Sequence, residues 1–102
     1  MAAKFDGLIE AVRYDADGRL LMVRAYERWG SAYSDNLLID RETLMARLKK
    51  RKRFVTGKRV HLLGGTFQVG NTVRLSSSAG QEFVVSGAQT GSRDFLEGVP
   101  IF

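Results

Sequence analysis

The chain has 102 residues, 44% hydrophobic and 26% charged, with a formal net charge of +5 and no cysteine. That composition matches a soluble globular protein and argues against global disorder, while the lack of cysteine excludes disulfides and thiolate metal sites. Nowhere do 18 apolar residues run together, so no membrane-spanning helix and no membrane insertion is expected, and the length predicts one domain over 1–102.

The opening residues Met1 to Asp6 lack the apolar core of a secretory signal, which points to a cytoplasmic protein. Phe5 to Tyr14 and Arg19 to Trp29 then read as two strands joined by Asp15-Ala16-Asp17-Gly18, because an Asp-Gly pair between β-prone runs is a hairpin signal. In the second strand Leu20, Met22, Arg24, Tyr26 and Arg28 alternate with Leu21, Val23, Ala25, Glu27 and Trp29. Both faces are apolar at its start and one becomes charged toward its end, as in a strand that leaves a two-sided core for an exposed rim.

Tyr33 to Ile39 forms a third, shorter strand in this reading, and Asp40 is placed to cap a helix whose first turn also carries Glu42. Leu44, Met45 and Leu48 recur at helical spacing, and the absence of glycine and proline predicts a helix of about three turns from Arg41 to about Lys52. Gly57-Lys58 suits a type II′ turn between Phe54–Thr56 and Arg59–Leu63. Gly70-Asn71 and the Ser76–Gly80 stretch punctuate strands at Thr66–Val69, Thr72–Ser76 and Gln81–Ser86, with Val73, Leu75, Phe83 and Val85 expected to face inward.

Val99 to Phe102 closes the chain on apolar residues around Pro100, which predicts an edge strand or an extended segment laid over the core. These elements together predict an α+β fold, a small, mostly antiparallel, partly open β-barrel of about five to eight strands with one mid-chain α-helix.

No catalytic constellation emerges. His61 is the single histidine and sits between Val60 and Leu62 in a predicted strand, so neither a zinc site nor a histidine-based triad is indicated, and no GxSxG elbow is present. Asp15 and Asp17 read as turn residues beside Gly18 rather than as an acid/base pair. The stretch from Gly65 to Thr72 has the glycine spacing of a phosphate loop but asparagine where the lysine belongs, with strand residues following. A non-enzymatic protein without cofactor or metal is the expectation.

Charge location carries more information. Arg47, Lys49, Lys50, Arg51, Lys52, Arg53, Lys58 and Arg59 lie within thirteen positions that hold no acid, whereas the remaining 89 residues carry eight basic and eleven acidic side chains, a net of −3. Cations in a helix's last turn are favoured by its dipole, but one or two satisfy that role. Eight in one segment repel one another unless a counter-charge meets them. These residues, with Trp29 and Tyr33 as stacking platforms, form the candidate contact set for a polyanion, RNA or single-stranded DNA bound without sequence specificity. The alternative is a protein interaction or assembly module that forms homo-oligomers or docks an acidic partner. A small ligand, if bound, is expected inside the barrel.

Overall fold

A computed structural model describes residues 5–29, 32–33, 37–59, 67–78, 80–87, 93–96 and 98–102. The first hairpin forms as the sequence predicts, from β1 (Gly7–Tyr14) and β2 (Leu20–Trp29), paired antiparallel. Its turn is fixed by Asp15, whose Oδ1 accepts the Asp17 and Arg19 N–H groups, both at 2.9 Å. Gly18 supplies the positive φ of 82° that closes the loop.

The β1–β2 register slips between Ile9 and Ala11 and again between Arg13 and Tyr14, so that Glu10 and Leu21 are the extra residues of two bulges. Each bulge resets the alternation, so Ile9 and Val12 both face the main core, and so do Leu20 and Val23, while Leu21 is 45% exposed. This accounts for the two-sided apolar start of β2.

Two short strands, β3 (Ala32–Tyr33) and β4 (Leu37–Asp40), pair with the edge of β2 opposite β1. The helix α1 (Arg41–Lys49) follows, capped by Asp40, whose Oδ1 accepts the Thr43 N–H at 2.8 Å. Thr43 on this exposed carboxylate holds its pKa below the usual value. Leu44 is fully buried, with Met45 and Leu48 packed against the same cluster, as the helical spacing anticipates.

After α1 come β5 (Phe54–Arg59), parallel to β1, then β6 (Phe67–Ser78) and β7 (Gln81–Ser86), each antiparallel to its predecessor. Two predicted turns are absent. β5 runs straight through Gly57-Lys58, and β6 runs through Gly70-Asn71, which form a bulge opposite Thr56. The Asn71 N–H donates to Thr56 Oγ1 at 2.9 Å, so a side chain replaces the ladder bond that the bulge removes. In β7 Val84, opposite Leu75, joins the main core and Val85 is buried as expected, whereas Phe83 is only half-buried.

The sheet has the order β3-β2-β1-β5-β6-β7, with β4 beside β3 on β2, and is mixed because of the parallel β1–β5 pair. It is open, not a barrel. The outer edge of β2 is already filled by β3 and β4, and that of β7 by a bridge to Phe95, so among the described residues no ladder joins the two ends.

α1 and the chain's last residues cover the core instead. Leu96 is 2% exposed, and beyond it the segment crosses to β1, where Val12 N–H donates to Pro100 O and Phe102 N–H donates to Val12 O. This extended segment is the one expected at Val99 to Phe102. The opposite face of the sheet carries a second cluster of Phe5, Leu8, Tyr26 and Val55.

Candidate nucleic-acid interface

The helix stops at Lys49, three residues short of the predicted end, because the chain turns into a Schellman motif. Lys52 N–H donates to Arg47 O at 3.0 Å and Arg51 N–H donates to Leu48 O at 3.1 Å, with Arg51 in the left-handed region at φ 63°. Glycine is the usual occupant of that position, since an L side chain there costs about 1 kcal/mol. Lys50, Arg51, Lys52 and Arg53 therefore lie on a hydrogen-bonded turn, not along a helical face, and all four are exposed.

The eight predicted basic residues do not act as one ridge. Arg47 makes a two-point contact with Glu27, at 2.8 Å from Nε and 3.4 Å from the second guanidinium nitrogen, and Glu27 holds its pKa further above the ordinary arginine value. Lys49 pairs with Glu82 at 2.9 Å. By contrast, among the described residues no carboxylate lies within ion-pair distance of Lys50, Arg51, Lys52, Arg53 or Lys58.

Asp6 fixes where this turn sits. Its Oδ2 accepts the Arg53 N–H at 2.7 Å, its own N–H donates to Arg53 O at 2.6 Å, and its Oδ1 meets the Arg28 guanidinium at 3.4 Å. The basic turn is thus tied to the far end of β2, the same end at which Arg28 pairs with Tyr33 and Trp29 with Ala32. The backbone brings the turn and both predicted aromatic positions to one end of the sheet. The side chains of Trp29, Tyr33 and Arg59 lie outside the described ones, as does His61.

Lys58 is separated from this group. It lies about 13 Å further along β5 than Phe54, at a cleft of about 520 Å³ that opens where β5 parts from β1 and the chain's last residues take over the β1 edge. Glu10, Thr56, Gln68 and Asn71 share the cleft with it. The open sheet encloses no barrel interior, so the expected place for a small ligand does not exist among the described residues.

Sequence reasoning missed a third basic feature. Arg13 and Arg24 point away from the main core and both stack on Phe102, with guanidinium carbons 4.7 and 4.6 Å from the ring centroid. Arg13 Nε also donates to Phe102 O at 2.9 Å. The alternation in β2 carried a signal for it, since Arg24 and Arg28 share one parity. Nothing in the sequence links Phe102 to them across so long a separation.

Among the described residues no three His, Asp or Glu side chains come together as a metal site, and no helix is long and apolar enough to cross a membrane. Comparison with protein-family models, with curated proteins and with solved structures yields no match.

Proposed function

We propose that this protein is a non-enzymatic binding module that holds single-stranded nucleic acid, RNA or DNA, through Lys50, Arg51, Lys52 and Arg53 without sequence preference. One observation carries the reading. The side chains of Arg28, Arg41, Arg47 and Lys49 each pair with a carboxylate of the same chain, yet among the described residues the charged groups of these four consecutive cations pair with none. They are held on a turn with a defined backbone, so part of the ordering that binding requires is already in place. Arginine at a position that favours glycine fits a surface kept for charge rather than for stability. Flexible single strands suit a protruding turn of this kind, and among the described residues no recognition helix is available for a duplex groove.

Fluorescence anisotropy with labelled single-stranded RNA and DNA tests the proposal. Neutralising about three or four phosphates predicts log K falling with log salt at a slope of about −2 to −3. Replacing Lys50, Arg51, Lys52 and Arg53 by Gln is expected to weaken binding at least ~10-fold at low salt and to flatten the slope. Equal binding by wild type and variant sinks the proposal. If the wild type binds no oligonucleotide at low salt, an acidic protein partner becomes the better reading.

A further inference from the structure

Resting on the nucleic-acid reading above, we infer that the outward face of β1 and β2 continues the surface, so that a single strand held at Lys50–Arg53 runs past Arg28 to the Arg13–Phe102–Arg24 stack. Arg24 and Arg28 share one parity of β2, on either side of Tyr26, which is buried in the second cluster, and Arg13 stands beside them through the Arg13–Met22 pairing. All three arginines are exposed. The row starts where Asp6 joins Arg28 to the basic turn and ends at the stack, about 13 Å along β2 at Arg24 and about 20 Å at the level of Arg13. Cations at intervals along an extended strand match the periodic charge of a nucleic-acid backbone better than they match a compact anion.

The stack itself supplies the second element. Two guanidinium groups are gathered on one ring; Arg13 Nε already donates to Phe102 O, and among the described residues no side-chain carboxylate lies within ion-pair distance of either. Like charges drawn together in this way favour an anion between or beside them. Guanidinium planes and aromatic rings are also the surfaces on which unpaired bases stack. The half-buried ring of Phe102 holds both arginines in place before a ligand arrives.

Oligonucleotide length separates this inference from the reading on which it rests. A strand of about four nucleotides spans the turn alone, whereas one of about twelve reaches the stack. Changing Arg13 and Arg24 to Gln is expected to weaken binding of the long strand ~5- to 10-fold and make its salt slope shallower by about 1.4, since two phosphates are no longer neutralised. The short strand should be unaffected. Phe102→Ala, which keeps both charges, should weaken only the long strand, ~3-fold or more.

Circular dichroism accompanies each variant. Should the double variant lose its fold, Arg24→Gln alone serves, since Arg24 is exposed and its expected slope change is about 0.7. An unchanged long-strand affinity and slope in the folded variants overturns the extended path. If the Lys50–Arg53 variant still loses binding in that case, the proposed function survives without the extension. If the long strand binds no more tightly than the short one in the wild type, the extension is likewise wrong.

Discussion

Asp94 is 3% exposed and serves four donors at once. Its Oδ2 accepts the Leu20 N–H at 2.7 Å and Arg41 Nε at 2.9 Å, and its Oδ1 accepts the Val84 N–H at 2.9 Å and a second Arg41 nitrogen at 3.2 Å. One carboxylate thereby joins the start of β2, the middle of β7 and the first residue of α1, across the gap that keeps the sheet open. Burial pushes its pKa up, but the Arg41 guanidinium and the Val84 and Leu20 amides more than offset this, so it ends below the ordinary carboxylate range. Asp94→Ala leaves the Arg41 charge with only the Glu82 carbonyl and no counter-ion, and two buried amides without an acceptor, and is expected to destabilise by about 3–5 kcal/mol in urea unfolding. The pH dependence follows from the lowered value. Above the unfolded pKa of about 3.9 the carboxylate is charged in both states and its full contribution is present; as the pH falls through the folded pKa, the unfolded chain binds its proton first and the contribution is lost. The stability difference between wild type and Asp94→Asn should be level from neutral pH down to about 4.5 and shrink below that.

At the scale of elements, Gly57 shows how one residue type misleads a sequence reading. It sits inside β5, and a Cβ there would run into the Gln68 carbonyl of β6, which is backbone and cannot move aside cheaply. Gly57→Ala should therefore destabilise by about 2 kcal/mol or more, measurable as a lower urea midpoint with an unchanged slope. The first hairpin, the Asp40 cap, the Leu44 stripe and the extended Val99–Phe102 segment were legible because periodicity and local hydrogen bonding determine them. Gly57 and Gly70 were not, because glycine marks turns, bulges and close strand approach with the same letter. The phase of β7 and the bulges at Glu10 and Leu21 depend on which neighbour a strand meets, which no local pattern encodes. For the same reason the basic run was legible as composition, but its division was not: Glu27 and Glu82 reach Arg47 and Lys49 from distant strands.

Across the whole molecule, that division leaves four adjacent like charges whose side chains have no carboxylate within ion-pair distance among the described residues, on a chain whose formal net charge is already +5. Two effects oppose one another there. The helix C-terminus attracts cations by about 0.3–1 kcal/mol each, but the attraction decays within a turn, and Arg47 and Lys49 already occupy its last turn. Mutual repulsion extends further: unit charges about 7 Å apart in water repel by about 0.6 kcal/mol, and four cations make several such pairs. Repulsion therefore wins in the free protein at low salt, by about 1 kcal/mol once partial screening is allowed for. Replacing Lys50, Arg51, Lys52 and Arg53 by Gln brings the formal charge from +5 to +1 and keeps a side chain at the left-handed position, so the backbone cost is unchanged. That variant is expected to be more stable than wild type by about 1 kcal/mol in thermal or urea unfolding at low ionic strength, with the gain vanishing near 1 M salt, where the Debye length is about 3 Å. A wild type that is the more stable of the two at low salt would mean that the four cations are already neutralised within the molecule, which removes the physical reason for a polyanion to bind them.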